Sequence, residues 1–303
     1  MNNSNFDFRN EKKLFEKSLY ILIGFTRNTS DLKNEQHHAL QMIFFKFLQL
    51  CKSLIALDGI STIGSFIVFR SLLDLSVDAF ILTAKNEPER YKRFLAFSDL
   101  DEFRNTLASI RVGINDNQIN ALLVQNFIEL YEHLDEYEKA ITILDRGNAR
   151  IIVEELKEKI AKVKTVTKNE KIKIISNAID VFLNKIRNIN TWYAKKENAY
   201  DLFLEVSHGI SNFKDNELDA LSNYYAALKE FGNSAVHTSV ALNNTCFSEA
   251  DSTFNTDEDI NPGLVLSFCT FPFLLMQKAL CKGGLITDAD NNLLTLKIKQ
   301  IYN

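Results

Sequence analysis

Proline and glycine are scarce, 3 and 10 in 303 residues. So few turn formers exclude a turn-rich sandwich or barrel and favour long helices. Cysteine is sparse too: Cys51, Cys246, Cys269 and Cys281. None forms a Cys-x-x-Cys pair, and no histidine stands at ligand spacing from them, which argues against a zinc module or a disulfide framework. No metal and no cofactor is expected, and a reducing cytoplasm suits this cysteine usage. Long apolar runs are missing as well. The most membrane-like stretch, 264–276, is short and carries Ser267, Thr270 and Pro272, so no membrane partner is expected. Residues 1–17 hold no apolar core of a signal peptide. Positive charge is not in excess: the net charge is -4 and the pI about 5.8. Global attraction to nucleic acid is therefore not expected, although a local basic patch could supply it. There is no P-loop, no Rossmann glycine pattern, no His-Glu-x-x-His and no Gly-x-Ser-x-Gly. Their absence counts against nucleotide hydrolases, dehydrogenases, zincins and α/β-hydrolases.

What is present is apolar and helical. Hydrophobic residues make up 46% of the chain, with 23 phenylalanines against one tryptophan. The periodicity predicts an all-α, multi-helix bundle with no convincing strands. It is read as one helical domain over 11–303: N-terminal helices over 11–145, a lysine-rich protruding helix or hairpin over 146–175, and C-terminal helices over 176–303. The last part carries an acidic loop at 244–262.

The organising stretch is 59–85. Ile63, Phe66, Ile67, Leu73, Val77 and Ile81 share one helical face; Val68, Leu72, Leu75, Ala79 and Leu82 fill the other. A helix apolar on both sides belongs in the middle of a bundle. Arg70 and Asp74 stand one turn apart on the first face, with Asp78 a turn further on. An unpaired charge there would be too costly, so the two are expected to pair. They form either a structural ion pair or the wall of a polar cavity.

Asn86-Glu87-Pro88-Glu89 marks a boundary, since proline suits a first helical turn. From 151 to 175 the chain is lysine-rich, with Lys157, Lys159, Lys162, Lys164, Lys168, Lys171 and Lys173, the first of them offset by Glu154, Glu155 and Glu158. Without aromatics, such a run is read as a solvated face before it is read as a nucleic-acid contact. Residues 264–280 are read as a buried helix broken or kinked at Pro272 and stopped by Gly283-Gly284.

A second polar cluster lies in 223–239. At helical spacing Glu230, Asn233, Ser234 and His237 share one face, opposite Leu221, Tyr224, Leu228, Phe231 and Ala235. A histidine on a small-plus-polar stripe suits proton transfer near neutrality, or else an exposed face near a helix end.

Two segments together resemble the DUF5677 family of uncharacterised helical proteins. The first is Phe69-Arg70-Ser71-Leu72-Leu73-Asp74 with the following Pro88-Glu89-Arg90-Tyr91. The second is Thr191-Trp192-Tyr193 leading through Tyr224 to Ser234 and His237-Thr238-Ser239. The resemblance spans about 35–240. It implies a helical fold and an association with bacterial defence or mobile elements, and it adds Trp192, Tyr224 and Arg90 to Glu230, Asn233 and Ser234 as candidate binding residues. A looser similarity links Asn233-Ser234-Ala235-Val236-His237 to the Arg-Asn-x-x-x-His pattern of the helical HEPN ribonucleases, except that Gly232 replaces the arginine.

Three functions follow as expectations. One is a metal-independent, RNase-like effector, with His237 as acid or base, Arg70 stabilising phosphate charge and Asp74 orienting Arg70. Another is a module that senses a small ligand or a protein partner through the same residues. The last is a scaffold in which they are structural. A homodimer would suit so apolar a surface.

Overall fold

The computed structural model describes residues 8–26, 35–57, 62–84, 87–115, 121–145, 149–194, 197–208, 225–228, 247–248, 253–254 and 262–302. Among them are eleven helices: α1 (Phe8–Thr26), α2 (Glu35–Leu57), α3 (Thr62–Ala84), α4 (Pro88–Asn115), α5 (Ala121–Asp145), α6 (Ala149–Val163), α7 (Lys168–Lys185), α8 (Ala199–His208), α9 (Pro262–Phe268), α10 (Thr270–Lys282) and α11 (Asp288–Tyr302). The all-α expectation holds. Among the described residues, the extended pairing is a two-residue antiparallel match, Phe247–Ser248 (β1) with Thr253–Phe254 (β2), inside the acidic segment.

The chain divides into two compact units. The first comprises Met1–Glu87 and Asn198–Asn303; the second is Pro88–Glu197. The proline boundary at 86–89 is thus where the chain enters the second unit. Reading 11–303 as one domain placed no boundary at 197/198, where the chain returns to the first.

In the first unit α3 is central. It packs against α10, α2, α8 and α9. Phe66, Leu73, Val77 and Ile81 of the first expected face and Leu72, Ala79 and Leu82 of the second are buried, so both faces meet protein; Ile67, placed on the first face, is 46% exposed instead. Helix α1 packs against α9 and α11. The apolar run near the C-terminus breaks at Cys269, between α9 and α10. The cause is Pro272, whose ring would clash with the Phe268 carbonyl four residues back; in the first turn of α10 its missing N–H costs nothing. Helix α10 ends as the sequence predicts. Gly284 has φ 75°, the Gly283 N–H donates to the Ala279 carbonyl at 2.8 Å and the Leu285 N–H to the Leu280 carbonyl at 2.9 Å, a left-handed glycine cap.

The second unit is a four-helix assembly in which α4 packs on α5, α5 on α6, α6 on α7 and α7 back on α4. Its core holds Phe103, Phe127, Leu134, Ile141, Ile160 and Phe182. Phe103 stacks on Tyr137 at 3.8 Å and meets Phe182 edge-on at 5.1 Å. The lysine-rich segment belongs to this core. Helix α6 buries Ile152, Val153, Leu156, Ile160 and Val163, and its lysines occupy the outer face. Glu170 accepts hydrogen bonds from the Thr167 N–H (3.1 Å) and hydroxyl (2.7 Å), which fixes the start of α7 and lowers the Glu170 pKa.

Two helical stretches are long and apolar enough to cross a membrane by length and composition, Glu35–Leu57 and Val265–Lys282. The second is mostly buried within the protein, the ordinary condition of a core helix.

Candidate functional site

Helix α3 places Arg70 and Asp74 one turn apart, and they pair: Arg70 Nη2 lies 3.1 Å from Asp74 Oδ1. The environment is asymmetric. The Arg70 side chain is 16% exposed and the Asp74 side chain 46%. The carboxylate reaches solvent while the guanidinium runs into the protein. Arg70 Nη1 is buried and has no hydrogen-bond partner among the described residues. A buried donor left so carries a desolvation penalty of about 1–3 kcal/mol, more for a charged group.

An aromatic layer stands beside this pair. Phe80 of α3 meets Phe203 of α8 at 5.7 Å; Phe203 meets Tyr225 at 4.7 Å; and Tyr200 stacks on Tyr225 at 6.1 Å. Tyr225, in the short helical segment 225–228, is fully buried. Burial pushes its phenol pKa up; the negative charges of Asp74 and Asp78 push the same way, and the Arg70 charge opposes them. The phenol therefore stays protonated in a neighbourhood holding one cation and two carboxylates.

Of the expected site residues, Arg70 and Asp74 come together in the first unit. Trp192 and Arg90 lie in the second unit, in structural settings. Trp192 is 3% exposed, meets Phe94 edge-on at 6.0 Å and packs against Tyr193 at 4.4 Å. Arg90 Nη2 lies 3.7 Å from Glu197 Oε1. His237, Glu230, Asn233, Ser234 and Tyr224 lie outside the described residues.

Tyr225 was missed by the sequence reading. The Tyr224-Tyr225 pair signals an aromatic there, but which ring faces inward depends on helical phase. The sequence reading set Tyr224 and Leu228 on one face; Leu228 is buried, and so is Tyr225 three residues before it. The arginines that organise the second unit were missed too. Arg93 donates from Nε to the Trp192 carbonyl (2.9 Å), from Nη1 to Ile143 (3.0 Å) and from Nη2 to Tyr193 (2.7 Å). Arg104 donates to the carbonyls of Ile186 and Ile189, and burial lowers its pKa.

A groove of about 510 Å³ lies between α4 and α5 of the second unit, lined by Asp101, Glu102, Asn105, Thr106 and Asn126 among others. It is open and polar and contains none of the expected site residues. Among the described residues no group of three or more His, Cys, Asp or Glu could hold a metal ion. Cys51, Cys269 and Cys281 are free thiols. Burial pushes the first two far up, and burial with a hydrogen bond to Asp288 raises Cys281 to about 11, so none is a ready nucleophile near neutrality.

No protein-family model, no curated protein and no solved structure matches this chain. The resemblances to DUF5677 and to the HEPN ribonucleases therefore rest on the residues quoted above alone.

Proposed function

We propose that the chain is a helical effector of a bacterial defence system, and that its Arg70 site works by receiving a small ligand. The observation that carries this reading is the buried Nη1 of Arg70, a donor without an acceptor among the described residues. Asp74 neutralises the guanidinium on one side, and Asp78 adds a second negative charge near Tyr225. That balance favours a ligand presenting a carbonyl, an amide or a single negative charge over a polyanion, whose successive phosphates the two carboxylates would repel. The protonated phenol of Tyr225 and the Phe203 ring would give such a ligand an aromatic wall.

Ligand binding to the folded chain alone raises its stability, by about 2.7 kcal/mol at a hundredfold excess over Kd. The test is a thermal-shift screen of the whole chain against nucleotides, amino acids and short carboxylates. A compound that raises Tm for the wild type and leaves Arg70→Met unmoved supports the reading. A panel with no hit, or a hit indifferent to Arg70→Met, removes it.

A second reading is an RNase-like enzyme. It is favoured by the Asn233–His237 spacing and by the cation that Arg70 would supply in place of the arginine missing at Gly232. It expects RNA cleavage by the wild type, lost in His237→Ala with Tm unchanged. RNA left intact by the wild type ends that reading. A protein partner or a second copy would act on the same effector and is scored by co-purification and sedimentation.

A further inference from the structure

Helix α11 of the first unit packs against α1 and α10. It turns Leu294 and Ile298 inward, where both are buried. Gln277 of α10 donates from Nε2 to Asn291 Oδ1 at 2.7 Å and to Thr295 Oγ1 at 2.9 Å, which fixes the side of α11 that meets α10. Lys297 Nζ lies 5.3 Å from the centre of the Phe25 ring, which fixes the side that meets α1. One stripe then points away from both neighbours: Ala289, Leu293, Leu296 and Gln300, spaced by four, three and four residues. All four are exposed, Leu293 by 45% and Leu296 by 58%.

So α11 is apolar on two sides, as α3 is, but the outer side of α11 meets solvent. The charges beside that outer stripe say what fits it. Asp290 and Lys297 stand seven residues apart on one flank, two turns from each other. That is about 10 Å along the axis, too far for them to pair within their own helix. Asp290 accepts a hydrogen bond from the Thr287 hydroxyl at 2.8 Å, and its carboxylate remains charged. The flank therefore reads acid near the start of the helix and base near its end, with two leucines between.

We infer that α11 is a dimer interface: two copies of this chain pack their α11 helices antiparallel about a twofold axis, Leu293 of each against Leu296 of the other. A helix with opposite charges at its two ends is complementary to itself only when one copy runs the other way. In that register the axis passes midway between Leu293 and Leu296. Lys297 of each chain then comes within about 3 Å, along the axis, of Asp290 of the other, on the same flank. A parallel pair would set Asp290 against Asp290 and Lys297 against Lys297. One helix pair covers less than the roughly 1,600 Å² of a standard interface, so the dimer is weak and forms at high protein concentration. The interface is independent of Arg70, and it stands or falls apart from the function proposed above.

The test is sedimentation equilibrium of the full chain over a hundredfold range of concentration, where a monomer–dimer equilibrium is expected. Leu296→Glu places two carboxylates in the apolar stripe and should weaken the dimer at least tenfold. Lys297→Glu sets a carboxylate against Asp290 of the other copy, and Asp290→Lys sets two lysines together; each should weaken the homodimer. Mixed with each other, these two charge variants should pair more tightly than either does alone, because both contacts again oppose unlike charges. Asp290 also helps to start α11, so far-UV circular dichroism checks the helix content of Asp290→Lys. If that variant fails to fold, Leu296→Glu and Lys297→Glu, both at exposed positions, decide the matter. A wild type that stays monomeric at every concentration, a dimer as tight in Leu296→Glu or Lys297→Glu as in the wild type, or a mixture of folded charge variants no tighter than its components overturns the inference.

Discussion

Arg70 of the first unit and Arg93 and Arg104 of the second use their guanidinium groups in opposite ways. In the second, Arg93 spends three nitrogens on three backbone carbonyls and Arg104 reaches two more. Those carbonyls belong to the irregular segment around Trp192 and to the ends of α5 and α7, where a helix leaves its last carbonyls without partners. The guanidinium fork supplies the donors that the finished helices cannot. In the first unit Arg70 bonds through one nitrogen to a half-exposed carboxylate and buries the other without an acceptor among the described residues. A saturated arginine is scaffold. That difference in hydrogen bonding, rather than burial alone, sets Arg70 apart from Arg93 and Arg104.

The comparison breaks first at Arg93. Arg93→Met leaves three carbonyls without their charged donor, and the expected cost is about 3–5 kcal/mol. Trp192 is the only tryptophan in the chain and sits on the stapled segment, so its emission reports this loss directly. The denaturation midpoint followed by tryptophan fluorescence should fall sharply. A midpoint within error of the wild type would mean that the three bonds are worth no more than their solvated equivalents.

A purely apolar contact gives the next largest effect. A Cβ on Gly283 would lie 2.1 Å from Leu40 Cδ1 and 3.2 Å from the Ala279 carbonyl oxygen. Leu40 is fully buried, so its methyl has little room to retreat. Gly283→Ala is expected to cost about 1–3 kcal/mol by overpacking, read from the far-UV thermal transition. An unchanged transition would show that α2 yields locally at Leu40.

These residues show where the sequence is legible. The glycine stop at 283–284 and the two-sided face of α3 were readable because each is set by neighbours within a turn or two. The return to the first unit at Asn198 was not, because nothing in the composition near 197/198 marks a change of packing partner. Arg93 reads as surface beside Lys92, since its acceptors lie about 50 and 100 residues away in the chain. Tyr225 was passed over because nothing local in the Tyr224-Tyr225 pair says that its ring is buried. The Arg70–Asp74 pair was legible from its four-residue spacing, whereas its half-open environment depends on α8 and on residues 225–228, which no local pattern places beside it. The run of lysines misleads for the converse reason: counting charge ignores the isoleucines and valines on the opposite face of α6.

Arg70→Met tests the other side of the comparison. It removes a pair whose carboxylate is half-exposed and relieves an unsatisfied buried donor, so a stability loss of only about 1 kcal/mol is expected, close to the range of exposed ion pairs. The same variant should abolish the ligand-induced Tm rise. A loss as large as that of Arg93→Met would make Arg70 a second staple.

The smallest effect is one of pH. The Tyr225 phenol has its pKa raised above the ordinary value near 10 by burial and by Asp74 and Asp78, against the opposing charge of Arg70. Above pH 10 the unfolded chain has lost a proton that the folded chain still holds, so stability falls as pH rises. The phenol's contribution is complete below pH 10 and disappears on the way to the folded pKa. Lysines titrate in the same range, so the informative quantity is the difference between the wild type and Tyr225→Phe from pH 9 to 11. The wild type should lose more stability over that interval than the phenylalanine variant, which has no proton to give up. Parallel curves would place the phenol in contact with water and take away the aromatic wall of the Arg70 site.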